Sequence, residues 1–318
     1  MYDRNILLTG ASGFVGSNLF KYLKQKNKKV VGLSRNNNLN FKNYINLDVN
    51  LIDDKIFKDN KFNTVIHFAA MNNISKREKN NKSDYIYTNV NGTINLATEA
   101  FKSGVNLFIF LSSTKVYSKS RNNKLINENS DTNPKEFYGI SKLKAENELK
   151  NIATKFNKEL VIIRSPMIYG PGVKGNLNFL IKLLKLRIPL PFSRLQNRRS
   201  YLAIENLNNF IERCLKQKKG FFSKNDIINI ADNNGISTVD LIKKISKVYG
   251  LKYLLFPIPI SFIKMLGFIS NKSEIFESLL SDNQIDISKA REMLNWTPLV
   301  NLEKQLSVMM SQNDKFLK

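Results

Sequence analysis

The chain has 318 residues, 42% hydrophobic and 24% charged, ordinary for a globular protein of one or two domains. One cysteine, Cys214, and one histidine, His67, exclude an internal disulfide and argue against a metal centre. The formal charge is +24, but 39 lysines stand against 11 arginines beside 43 asparagines, a compositional bias more than a phosphate-reading surface, so no nucleic-acid partner is expected.

In chain order, Asn5 to Thr9 is a short apolar run that ends at glycine and reads as a buried strand. It is too short for the apolar core of a signal peptide, and with the lone cysteine it suggests a reducing, cytoplasmic location. Ser17 to Gln25 reads as a helix, Lys29 to Ser34 as a second strand, Ile45 to Asp48 as a third and Asn63 to Phe68 as a fourth. A helix around Tyr85 to Phe101, a strand at Leu107 to Leu111, a helix from Tyr138 to about Phe156 and a strand at Leu160 to Arg164 follow. Strands alternating with helices predict a parallel sheet with crossover helices on both faces, an α/β Rossmann-type fold.

After Gly170-Pro171-Gly172 the texture changes to short helices and loops. The reading is a dinucleotide-binding domain over residues 1–168 and a smaller substrate region over 169–318, with 204–231 returning to the first sheet. Leu254 to Ile269 is strongly apolar but interrupted by Pro257, Pro259 and Lys264. It is too short to span a bilayer and is read as a core or inter-domain helix, with a membrane-surface helix as the less favoured alternative.

The chemistry-bearing residues fall in a fixed order. Gly10, Gly13 and Gly16 follow the first strand and open a helix, where backbone N–H groups can meet a pyrophosphate. The second strand ends in Ser34-Arg35 where an acidic residue would hold a ribose 2′-hydroxyl; a hydroxyl and a guanidinium suit a 2′-phosphate, so NADP is favoured over NAD. Asp48 and Val49 lie where an adenine would rest, and Phe68, Ala69 and Ala70 where small side chains meet a cofactor. His67 ends an apolar strand and reads as structural. Ser112 and Ser113 end the fifth strand, and 25 positions after Ser113 come Tyr138 and Lys142, four apart on one helix face. An ammonium beside a phenol favours the phenolate and lowers its pKa, giving a usable proton donor or acceptor.

Together these residues resemble the extended short-chain dehydrogenase/reductase family of nucleotide-sugar enzymes, the NAD-dependent epimerases and dehydratases. The resemblance runs from Thr9-Gly10-Ala11-Ser12-Gly13-Phe14-Val15-Gly16 through Asn89-Val90-Asn91-Gly92-Thr93 and Tyr138-Gly139-Ile140-Ser141-Lys142. It continues through Arg164 to Gly172 and ends at Asp286 to Arg291 before Leu294 to Pro298. It implies Ser113, Tyr138 and Lys142 as catalytic residues and no metal. It adds Phe14, Val15, Asn89, Ser112 and Pro166 to the cofactor side, and Arg199 and Asn176, with Ser113, to the substrate side. Within the family, the segments Pro171 to Asn176, Ile188 to Pro191 and Asn197 to Ser200 are most similar to UDP-4-keto-6-deoxy-N-acetylhexosamine 4-reductases of bacterial surface-polysaccharide synthesis. The expected partners are a UDP-sugar and a second copy in a homodimer. A UDP-sugar 4-epimerase retaining NAD stays open, as does a non-catalytic dinucleotide sensor. An epimerase-type distal arginine about ten residues before Asp286 is missing; Phe276 and Glu277 stand near there.

Overall fold

The structure is a computed structural model that describes residues 4–35, 43–72, 82–118, 124–232, 235–269, 280 and 282–315. Phe276 and Glu277 lie outside the described residues.

The first six strands are β1 (Asn5–Thr9), β2 (Lys29–Ser34), β3 (Tyr44–Asn46), β4 (Thr64–His67), β5 (Leu107–Ser113) and β6 (Glu159–Ser165). With β9 (Asp226–Asn229) they form one parallel sheet in the order β3-β2-β1-β4-β5-β6-β9. The chain builds outward from β1 to β3, then returns to the other side of β1 with β4. That reversal opens a crevice at the carboxyl ends of β1 and β4, where ligands bind in open α/β sheets. The strands are near-continuous apolar runs because both faces are covered; every residue of β4 and β6 is buried.

One face packs on α1 (Phe14–Gln25) and α7 (Ile204–Lys216), with Leu19, Leu23, Phe210 and Ile211 in the interior. The other packs on α2 (Asp54–Asn60), α4 (Gly92–Lys102) and α5 (Phe137–Phe156), through Phe57, Leu96, Phe101 and Leu149. A helical turn α3 (Lys82–Tyr85) enters α4 through a π-helical segment, Ile86–Asn91.

A third core belongs to the rest of the chain. It gathers Tyr169, Leu177, Leu180, Phe192, Leu241 and Leu306. Apart from Phe192, in the loop after α6, these come from the two-stranded sheet of β7 (Met167–Tyr169) and β8 (Tyr201–Ala203), from α6 (Asn176–Lys185), α8 (Thr238–Tyr249) and the helix Leu302–Lys315. The path is not a simple division at one residue. α7 and β9 return to the large sheet, and so do Ile285, Ala290 and Trp296, which pack in the α1–α7 core.

Two local expectations differ from what is observed. The third strand stops at Asn46, because the Asp48 carboxylate accepts from the Asn50 backbone N at 2.9 Å and starts a 3-10 turn, Val49–Leu51. The apolar stretch from Leu254 is helical only as α9 (Ile260–Ile269), after Pro257 and Pro259. It is not a core helix at its described side chains: Phe262, Met265, Phe268 and Ile269 are exposed.

Trp296 is fully buried, with its ring edge-on to Phe210 at 5.4 Å between centroids. Trp296→Ala is expected to lower unfolding free energy by about 3–5 kcal/mol, the cost of emptying a large aromatic site. Urea unfolding should show a lower midpoint at unchanged slope; an unchanged midpoint would mean that the C-terminal return does not support the first core.

Candidate active site

The carboxyl edge of the sheet brings the ordered motifs together. Gly10 follows β1 at φ +69, a conformation that suits glycine, and a Cβ there would lie 2.6 Å from Ala69 N. The β1 turn therefore presses directly on the segment after β4. α1 begins at Phe14 with no side-chain cap on its N-terminus. An uncapped helix N-terminus behind an exposed glycine turn fits the pyrophosphate of a dinucleotide, since backbone N–H groups and the helix dipole favour an anion there. Phe14, Val15 and Gly16, the first residues of α1, carry those N–H groups.

At the outer rim Ser34 is buried at the end of β2, and Arg35 follows with a largely exposed side chain. Its guanidinium lies 3.8 Å from an Asp48 carboxylate oxygen. So exposed a pair is weak and does not lock Arg35 in place. Val49 is buried beneath it in the α4-side core, and an added Cβ on Gly92 would meet it, so its side chain packs instead of facing a ligand. Phe68, Ala69 and Ala70 line the segment after β4 and are half-buried.

His67 is fully buried, with Nδ1 2.6 Å from Thr9 Oγ1 and Nε2 2.9 Å from Thr93 Oγ1. Burial, followed by the Lys142 charge, lowers its pKa to about 3, so it is a neutral cross-link between β1, β4 and α4.

Ser113, Tyr138 and Lys142 converge. Ser113 Oγ accepts from Lys115 N at 3.2 Å, and the Ser113 side chain bonds the Tyr138 phenol. α5 reaches this turn because residue 139 is glycine; a Cβ there would lie 2.5 Å from the Lys115 carbonyl oxygen. Lys142 is one helix turn deeper, almost fully buried, with Nζ 4.0 Å from the centre of the Phe110 ring.

The electrostatics differ from the sequence expectation. Burial raises the Tyr138 pKa to about 12; the Ser113 bond pulls it down and Tyr85 pushes it up. Lys142 does not depress it, because burial lowers the Lys142 pKa itself to about 7, against a smaller upward pull from Glu146. The ring of Phe110 favours an ammonium, but full desolvation outweighs one cation–π contact. The lysine is thus poised between its two charge states near neutrality.

Below Lys142 lies a buried ion pair that sequence reasoning missed. Glu146 is fully buried and accepts from Arg164 Nε at 3.1 Å and Nη2 at 2.6 Å, and from Ser112 Oγ. Arg164 also lies over the Tyr117 ring at 4.7 Å, and Tyr117 donates to Asn229 Oδ1 at 2.7 Å. The available signal was spacing: Glu146 continues the face of Tyr138 and Lys142 at four-residue steps.

Asn89 sits in the π-helical segment. Its amide holds Met71 through both backbone atoms, at 2.7 and 3.0 Å, and donates to Ser141 Oγ at 2.9 Å. It thus joins the β4 loop to α5. Pro166 is buried between β6 and β7.

Arg199 and Asn176 belong to the second lobe. Asn176 opens α6. Arg199 is half-buried; its backbone pairs with Ile236 and bridges to Asn283. Burial lowers its pKa, while Tyr201 and Asp282 raise it. Asn283, also missed from sequence, donates to Thr114 Oγ1 at 3.3 Å, so the Arg199 strand is tied beside Ser113. The Asn283 Oδ1 is buried without a hydrogen-bond partner in the protein, a cost that a donor on a bound molecule would remove. Among the described residues, no cluster of three or more His, Cys, Asp or Glu side chains could hold a metal.

The family model "NAD dependent epimerase/dehydratase family" matches residues 6–231. The chain belongs to this family. A "UDP-glucose 4-epimerase" of Vibrio cholerae is 34% identical over 95% of this chain and 93% of its own. A "dTDP-D-glucose 4,6-dehydratase" of Dictyostelium discoideum is 30% identical over 78% of this chain and 63% of its own. Among solved structures, a Thermotoga maritima UDP-glucose 4-epimerase with UDP-glucose superposes at TM-score 0.79 and 21% identity, covering 99% of this chain and all of that one. A Bacillus cereus UDP-glucuronic acid 4-epimerase with UDP-glucuronic acid and NAD superposes at 0.79 and 23%, covering 98% and 99%. At those identities the likeness shows the fold, and family membership makes this an NAD-type nucleotide-sugar enzyme of the epimerase/dehydratase kind.

The pKa of Lys142 generates a prediction. It is about 7 in the fold and about 10.4 in an unfolded chain, so between these values the unfolded state binds more protons and stability rises with pH. The cofactor-free protein should therefore gain stability from about pH 7 to about pH 10 by this group, and Lys142→Met should flatten that rise. Denaturation at several pH values reads the difference; parallel curves for the two proteins would mean that Lys142 is charged in the fold throughout.

Proposed function

We propose that this protein transfers a hydride at C4 of a UDP-linked hexose, in the direction of ketone reduction with NADPH. The substrate class we infer is a UDP-4-keto-6-deoxy-N-acetylhexosamine of surface-polysaccharide synthesis. The observation that carries the redox chemistry is the Ser113–Tyr138–Lys142 convergence at the crevice. The relatives support the position of attack: their names specify reaction at position 4 of UDP-glucose or positions 4 and 6 of dTDP-glucose.

A bound nicotinamide would supply the hydride at C4. As the ketone oxygen gains negative charge, Tyr138 donates its phenolic proton to it and an alcohol results. A phenol with a raised pKa is protonated at neutral pH, as an acid must be. Ser113 donates a second hydrogen bond to the same oxygen and holds it on the phenol. Lys142 can take up a proton near neutrality and then stabilises the phenolate that Tyr138 leaves behind. The glycine turn and the α1 N-terminus hold the cofactor diphosphate. In the second lobe, Arg199 and Asn176 hold the UDP diphosphate, where a guanidinium fork suits phosphate oxygens.

Ser34 and Arg35 support NADPH and exchange. No carboxylate ends β2, and Arg35 is exposed with only a weak partner. A second reading, a 4-epimerase that retains NAD, is favoured by the 34% identity to a UDP-glucose 4-epimerase over nearly the full chain. It uses the same residues and returns the hydride to the other face. The deciding measurement is consumption of added NADPH or NADH with a UDP-4-keto-6-deoxy sugar, against interconversion of UDP-sugars with no added cofactor.

Tyr138→Phe should lose about 10²–10⁴-fold in turnover with cofactor binding retained. More than about a tenth of wild-type turnover would remove Tyr138 from the proton transfer.

Arg35→Ala should weaken NADPH by about 1.5–3 kcal/mol, the range for hydrogen bonds to a charged group, and NADH by much less. Equal losses in a titration of both cofactors, or a wild-type preference for NADH, would reject the NADPH assignment.

A further inference from the structure

α9 presents Phe262, Met265, Phe268 and Ile269 to solvent, at spacings of three and four that fall on one helical face. Phe268 is 78% exposed and Ile269 71%. The apolar surface continues on the chain that leads into the helix. Leu254 is exposed, and its carbonyl accepts from Leu190 N at 2.9 Å, which ties it to the segment after α6, where Leu186 and Ile188 are exposed. Soluble proteins scatter such side chains singly; clustered ones mark a surface that meets something apolar.

The charge around this face is one-sided. From Leu160 to Ile204 there is no Asp or Glu, and none from Leu241 to Ser273. The same stretches carry the exposed Lys182, Lys185, Arg187 and Lys252, next to the exposed apolar residues. The chain holds another such stretch, Arg4 to Leu47, but no large hydrophobic side chain is exposed there among the described residues. In the two stretches around α9 and the end of α6, exposed apolar side chains and exposed cations coincide.

We propose that α9 and the adjoining end of α6 dock this protein on the surface of an anionic lipid bilayer. The chemistry matches on both counts. Aromatic and aliphatic side chains enter the headgroup–acyl boundary, and lysines meet lipid phosphates at the rim. α9 has ten residues, about 15 Å of helix against a hydrocarbon core of about 30 Å, so it lies on the surface. No helix among the described residues is long and apolar enough to cross a membrane. Docking leaves the crevice open. Asn176 is at the start of α6 and the apolar patch at its other end, about 15 Å away. The inference does not depend on which reaction the crevice performs.

The test is co-sedimentation of the full chain with vesicles of phosphatidylcholine alone and of phosphatidylcholine mixed with phosphatidylglycerol. The wild-type protein should sediment with the mixed vesicles, less so as salt rises, and not with phosphatidylcholine alone. Phe262→Ser with Phe268→Ser keeps the net charge and alters only exposed side chains. It should bind the mixed vesicles more than about tenfold more weakly, with cofactor affinity unchanged. Absence of wild-type binding would overturn the proposal. So would equal binding by the double variant, which would reduce the effect to adsorption by net charge. A wild-type dimer that the double variant converts to monomer in sedimentation equilibrium would also overturn it, by assigning the face to a second copy.

Discussion

A charge held in a dry core sets the geometry of this site. Glu146 has no exposed surface, and a buried carboxylate is tolerated only when a partner neutralises it and hydrogen bonds satisfy its oxygens. Arg164 on β6 and Ser112 on β5 provide both. Moving α5 along its axis would strand the carboxylate, at a cost of the order of 3–5 kcal/mol for a broken buried pair. The pair therefore fixes α5 in register against two strands. Tyr138 and Lys142 lie two turns and one turn above Glu146 on the same helix, and Ser113 follows Ser112 on the strand. The positions of all three follow from that single register, with Gly139 allowing the close approach at the top.

Much of this was legible in the sequence. Strand runs, the glycine turn and the Ser–Tyr–Lys order are properties of spacing, and spacing survives folding. The seven-stranded sheet and the convergence at its carboxyl edge could be read that way. What was illegible depends on burial. Glu146 and Arg164 look like surface charges until they are seen to face each other in the core. The expected depression of the Tyr138 pKa assumed a charged neighbour, whereas desolvation of Lys142 itself removes much of that charge. The run from Leu254 to Ile269 shows the same limit from the other side. Apolar composition suggested a core helix, but composition does not say which face a helix hides, and the described side chains of α9 face out.

The two lobes are less separable than their sequence textures suggest. The chain leaves the large sheet after β6, returns for α7 and β9, leaves again, and returns once more to bury Trp296. Each return is a physical tie. One direct tie between the lobes runs through Asn283, whose amide bonds Thr114 next to Ser113 and whose backbone bridges to Arg199. On the proposed reading, a substrate held by the second lobe would be referenced to Tyr138 through these hydrogen bonds, not through a flexible linker.

The central residues cannot distinguish a reductase from an epimerase, because hydride transfer at C4 needs the same phenol and the same crevice in both. The distinction has to lie in how long the cofactor stays. An epimerase must keep the reduced cofactor until the ketone has turned over; a reductase must release the oxidised one every cycle. Residence is set by contacts remote from the nicotinamide, and the β2 end is such a place. Here it offers a buried serine and a solvated arginine whose nearest acid, Asp48, is already engaged with Asn50. An exposed ion pair exchanges readily with water and with a 2′-phosphate, so under the proposed reductase reading this rim would serve selection by charge over permanent retention. On this reading the crevice residues set the chemistry and the rim at the end of β2 its direction.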